Sequence, residues 1–77
     1  MRTVEFKGHT FEYNEGCTLS YTWQKGVTSG NPQRMFKCFE DLFCGKDEEY
    51  SELLGGSIDD MAALALACVE DLQQAKN

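Results

Sequence analysis

The sequence predicts a small, mostly helical α+β domain, an N-terminal β-hairpin followed by three to four short helices. Three observations carry this. The segment "TVEFKGHTFEY" alternates apolar and polar residues on both sides of Gly8-His9, the period of half-buried strands. From Pro32 onward apolar residues recur at helical spacing. Gly45 and Gly55-Gly56 cut that helical half into pieces, and each break precedes a residue suited to start a helix. A chain of 77 residues supports one domain, which buries roughly 60% of its unfolded surface.

The hairpin spans about residues 3–13. A two-residue loop with glycine first suits a type II′ turn at Gly8-His9. That turn pairs Lys7 with Thr10, Phe6 with Phe11, Glu5 with Glu12 and Val4 with Tyr13. One face then gathers Val4, Phe6, Phe11 and Tyr13, while Glu5 opposes Glu12 on the other. An isolated hairpin is marginal in water, so the aromatic face must pack on the helices that follow.

The next stretch, "NEGCTLSYTWQKGVTSG", reads as a short helix over 18–26, with Thr18 as N-cap, Leu19 and Trp23 on one side and Gly26 at the end. Its β-branched and aromatic content argues as well for a third strand over 18–24. The segment 32–44 is a clearer helix. Asn31 is a good N-cap, Pro32 a good first residue, and Met35, Phe36, Phe39, Leu42 and Phe43 form one stripe. Gly45 occupies the place of a left-handed C′ residue.

Residues 48–54 predict a two-turn helix with Asp47 as N-cap, acids in its first turn, and Tyr50, Leu53 and Leu54 inward. Residues 58–75 form the last helix. Ser57 caps it, Asp60 can reach back as in a capping box, and Met61, Leu64, Ala65, Cys68 and Leu72 share a face. The predicted core is therefore Phe6, Phe11, Tyr13, Trp23, Phe36, Phe39, Phe43, Leu53, Leu54, Met61, Leu64 and Cys68.

The net charge of −6 disfavours nucleic acid as a partner, because its phosphates would repel the domain. The charge is unevenly divided. Residues 1–39 carry five Lys/Arg against three acids, and residues 40–77 carry two Lys against ten acids. Such a bipolar chain can associate head to tail. No apolar run has the roughly 18 residues of a membrane span, and the polar N-terminus is unlike a signal peptide. The expectation is a soluble cytoplasmic protein. Its four cysteines, Cys17, Cys38, Cys44 and Cys68, are then reduced and structural, with no C-x-x-C pair for zinc.

Chemistry finds little support. Asp47, Glu48, Glu49, Glu52, Asp59 and Asp60 surround the glycine breaks, but a calcium loop needs acids at alternating positions about a central glycine. A phosphate loop needs G-x-x-x-x-G-K-[ST], and "LLGGSIDD" offers two carboxylates instead. Nucleophilic catalysis needs a base beside Ser or Cys, and the single histidine, His9, lies in a turn. The expectation is a non-enzyme without metal or cofactor, acting through its surface.

The segment "NPQRMFKCFEDLFCGKDEEYSELLGG" followed by "SIDDMAALALACVEDL" resembles the tail assembly chaperones of long-tailed phages and prophages. The likeness covers Pro32 to Leu72 and rests on helix–Gly–short helix–Gly-Gly–capped helix, not on a catalytic signature. It implies a protein that binds the tape measure protein, keeps it soluble, and helps recruit tail tube subunits in the bacterial host cytoplasm. Members commonly occur in two lengths through a translational frameshift, and some self-associate into rings or spirals. Ala75-Lys76-Asn77 can be encoded as GCA AAA AAC, which contains a slippery heptamer. The alternatives are a small acidic inhibitor mimicking nucleic acid, and a head–tail connector or other virion component.

Overall fold

The computed structural model describes residues 1–76. Two strands, β1 (Arg2–Phe6) and β2 (His9–Tyr13), form an antiparallel hairpin. Five helices follow: α1 (Glu15–Thr18), α2 (Tyr21–Val27), α3 (Pro32–Leu42), α4 (Asp47–Leu53) and α5 (Ile58–Lys76). The architecture is the expected α+β arrangement, with five helices among the described residues where three to four were expected. The core lies between the inner face of the hairpin and helices α3, α4 and α5, with Trp23 and Val27 of α2 closing one side.

The hairpin turn differs from the expected one. Val4 pairs with Phe11, Glu5 with Thr10 and Phe6 with His9, so the loop is Lys7-Gly8 and not Gly8-His9. Both loop residues have positive φ, 50° and 82°, the conformation of a type I′ turn. Its twist matches that of the strands, and the register places Thr10 opposite Glu5 and Thr3 opposite Glu12, separating the two glutamates. The loop moves by one residue, so each partner moves by two. Because side chains alternate with period two, Val4, Phe6, Phe11 and Tyr13 still share a face. Phe11 and Tyr13 are fully buried, and Phe6 is partly buried against the core.

The segment after the hairpin holds two short helices, not a single helix over 18–26 and not a strand. Asn14 caps α1 through its side chain, which accepts from Gly16 N at 3.0 Å. Its own backbone N–H donates to the Leu42 carbonyl at 2.7 Å, fastening the hairpin exit to the end of α3. Thr18, expected as an N-cap, ends α1, and its buried hydroxyl donates to the Glu15 carbonyl. Ser20 caps α2 by accepting from Trp23 N at 3.2 Å. Trp23 is buried and its indole N–H donates to the Cys38 carbonyl at 2.9 Å, but Leu19 faces outward. Gly26 does not terminate α2. It lies inside the helix, where a Cβ would stand 2.8 Å from Cys38 Sγ. Only glycine permits this approach of α2 to α3 without displacement.

Asn31 caps α3 as expected, accepting from Gln33 N and Arg34 N. Two of the predicted core residues are at the surface. Phe36 is 51% exposed, whereas Cys38, Phe39, Leu42 and Phe43 are buried. The docking of α2 onto Cys38 turns α3 toward that side, and Phe36 lies about 200° around the helix from Cys38 at 3.6 residues per turn. Leu53 is 50% exposed while Leu54 is buried. Adjacent residues on a helix diverge, and the short α4 turns Tyr50 and Leu54, four apart, inward.

The helix ends are shifted by a residue. Cys44 (φ 54°) takes the C′ place of α3, and Gly45 N donates to the Glu40 carbonyl at 3.0 Å one residue later. Asp47 is the first residue of α4, not its cap, since Lys46 precedes the helix without a side-chain capping bond. After α4, Gly55 and Gly56 have φ of 85° and 80°, and Gly56 N reaches the Ser51 carbonyl at 2.8 Å. This is the six-to-one closure of a Schellman motif, which needs a left-handed residue at C′.

Ser57 starts α5, accepting from Asp60 N at 3.3 Å. The Asp60 carboxylate does not complete a capping box. It accepts from Lys7 Nζ at 2.8 Å, tying the hairpin turn to the start of α5. Met61, Leu64, Ala65, Cys68 and Leu72 are buried along the inner face of α5.

Candidate functional site

Phe36 marks the site. With Phe39, Ile58 and Met61 it makes the apolar floor of a groove of about 570 Å³ between α3, α4 and the start of α5. Phe39 and Met61 are covered by the core beneath, and Phe36 and Ile58 present their apolar surface to solvent. Glu40, Asp47, Glu48 and Glu52 supply the rim, together with Ser51 and Gly56, and no Lys, Arg or His lines it.

The local sequence explains each placement. Glu40 lies four residues beyond Phe36, one turn along the same side of α3. Asp47 and Glu48 occupy the first turn of α4, where the helix N-terminus favours negative charge. Glu52 follows one turn after Glu48 on the same side. The Gly55-Gly56 reversal returns the chain so that Ile58 and Met61 of α5 also line the groove.

Three acids outside the groove are ion-paired. Asp41 pairs with Lys37, Asp60 with Lys7, and Asp71 with Arg2, at 3.5, 2.8 and 3.2 Å. The four rim acids have no ion-pair partner among the described residues. A second depression, between α2 and α3, has mixed charge. Trp23 and Cys38 lie at its base, with Arg34 and the ion-paired Lys37 and Asp41 along its edge.

The remaining polar clusters fasten the hairpin. Tyr13 Oη donates to Asp71 Oδ2 at 2.7 Å, and Arg2 Nε donates to both Tyr13 Oη and Asp71. Burial, reinforced by the Asp71 carboxylate, pushes the Tyr13 phenol up to about 12. Its hydrogen bond, and the Arg2 guanidinium after it, hold the Asp71 carboxyl below its usual range. On the other edge Tyr50 Oη bonds both the N–H and the carbonyl of Glu12 at 3.3 Å, and the Tyr50 ring meets Phe11 and Phe43 edge-on at 4.8 and 5.1 Å.

Burial pushes the Cys17, Cys38 and Cys68 thiols up, Cys68 to about 12. Such thiols are poor nucleophiles and poor ligands. Among the described residues no group of three His, Cys, Asp or Glu side chains is arranged to hold a metal ion, and no helix is long and apolar enough to cross a membrane. The arrangement is suited to receiving an apolar surface with charges at its margins.

The sequence reading assigned Phe36 to the core and named no binding residues, so it missed the groove. Comparison with protein-family models, curated proteins and solved structures finds no match to this chain.

Proposed function

We propose that the protein is a tail assembly chaperone of a long-tailed phage or prophage, which holds the tape measure protein soluble in the host cytoplasm while tail tube subunits gather around it. The resemblance over Pro32 to Leu72 is one support. The observation that carries the reading is the apolar groove over Phe36, Phe39, Ile58 and Met61. A long helical protein with an apolar stripe aggregates unless that stripe is covered, and helix-in-groove docking covers it. A nucleic-acid mimic needs a continuous charged face, and an apolar floor beneath the acids does not serve that purpose. Self-association through surfaces other than the groove would allow several copies to coat one partner.

The test is co-expression of the 77-residue chain with the tape measure protein from the same phage or prophage. The expected result is a shift of the tape measure protein from the insoluble to the soluble fraction and recovery of the two together. An equal soluble yield with and without the chain would overturn the assignment. A connector would be found in purified particles, and a chaperone is expected to be absent from them.

A further inference from the structure

We infer that the groove between α3, α4 and α5 selects one kind of occupant: an amphipathic helix whose apolar stripe is flanked by lysine or arginine. The inference deepens the proposed function by naming the chemistry of the partner segment, and it rests on that reading only for the identity of the protein carrying the helix. The floor supplies a large exposed aromatic, Phe36, and a branched aliphatic, Ile58. These suit apolar anchors spaced by one or two helical turns, at i, i+4 and i+7.

The rim supplies the selectivity. Glu40 stands on the α3 side, and Asp47, Glu48 and Glu52 on the α4 side, so carboxylates border the floor along both helices. Four carboxylates and no Lys, Arg or His line the groove, and none of the three internal ion pairs neutralises them. An acidic or neutral helix entering the groove would bring like charge to the rim or leave the carboxylates less solvated. A helix bearing cations beside its apolar stripe meets opposite charge on both flanks, which speeds encounter and fixes orientation. A second copy of this chain is a poorer occupant. Its cations Arg34 and Lys37 line a depression of their own, where Asp41 already pairs with Lys37, and two concave surfaces do not interpenetrate.

The test uses a fluorescein-labelled synthetic helix of about 18 residues, near 27 Å long at 1.5 Å per residue. One form carries leucines at i, i+4 and i+7 flanked by lysines, and a matched form has glutamates in place of the lysines. Fluorescence anisotropy with the full chain is expected to give binding of the lysine form at least tenfold tighter than the glutamate form, weakening as salt rises. The variant E48K/E52K is expected to reverse that preference. F36A is expected to weaken the lysine form at least fivefold with an unchanged melting temperature.

Equal affinity for the two forms, or an unchanged preference in E48K/E52K, would overturn the inference. Concentration-dependent self-association in sedimentation, abolished by F36K, would also overturn it by making a second copy the occupant. If co-expression solubilises the tape measure protein but E48K/E52K does so equally well, the groove assignment fails and the chaperone reading stands. If the lysine helix binds selectively and co-expression has no effect, the chaperone reading fails and the groove assignment stands.

Discussion

Replacing Tyr13 with phenylalanine isolates the polar lock between the hairpin and α5. The ring is fully buried and phenylalanine refills its volume, so the change removes one oxygen and leaves no sizeable cavity. That oxygen donates to Asp71 at 2.7 Å. A hydrogen bond to a charged group contributes about 1.5–3 kcal/mol where water is excluded. The Asp71 side chain is 28% exposed, so water replaces part of the loss and the expected cost at neutral pH is about 1 kcal/mol. For a domain of this size that lowers the melting temperature by about 4–8 °C.

The pH dependence makes the prediction specific. The folded Asp71 carboxyl titrates below its usual 3.8, so its contribution is present above that pH and is lost as pH falls through the folded value. The folded Tyr13 phenol titrates at about 12 against an ordinary 10, so its contribution is present below pH 10 and is lost as pH rises toward 12. The stability difference between wild type and Tyr13→Phe should therefore form a plateau across neutral pH and narrow at both ends. Urea denaturation followed by the fluorescence of Trp23, the single tryptophan, measures it. A difference that stays constant from pH 3 to pH 11, or an unchanged midpoint at pH 7, would refute the reasoning.

Three further outcomes follow from packing and burial. Phe39→Ala should cost about 3–5 kcal/mol, whereas Phe36→Ala should stay within about 0.5 kcal/mol of wild type, both read by thermal melting. Gly26→Ala should destabilise by about 1 kcal/mol, because overpacking against Cys38 Sγ outweighs the gain in helix propensity; in a Cys38→Ala background the same change should become neutral or stabilising. At pH 8 a disulfide reagent should label exposed Cys44 at once and buried Cys68 only as the domain unfolds, and labelling of Cys68 as fast as Cys44 would exclude the present packing of α5.

The readings that rested on local chemistry and those that rested on packing fared differently. The caps at Asn31 and Ser57 need only a side-chain oxygen and the next free backbone N–H groups, so they were legible directly. Thr18 illustrates the opposite case. It is a competent cap, but Asn14 and Ser20 flank it, and pairing of Asn14 with the Leu42 carbonyl, a contact distant in sequence, favours the two-helix solution. In the same way Asp60 was free to complete a capping box until the folded hairpin brought Lys7 within 2.8 Å. The groove was illegible because it is a vacancy between three helices, and no single helix encodes one.

Sequence periodicity by itself determined the α+β class and the inward face of the hairpin. Those properties follow from repeats of 2 and 3.6 residues, and they survive a turn displaced by one residue. Tertiary structure alone decided the register, the division of the 15–27 segment, and the fate of Phe36 and Leu53. An apolar stripe states which side of a helix prefers burial, but the number of neighbours and their angles decide how much of it is covered. On α3 the approach of Gly26 to Cys38 covers one margin and leaves Phe36 exposed on the other.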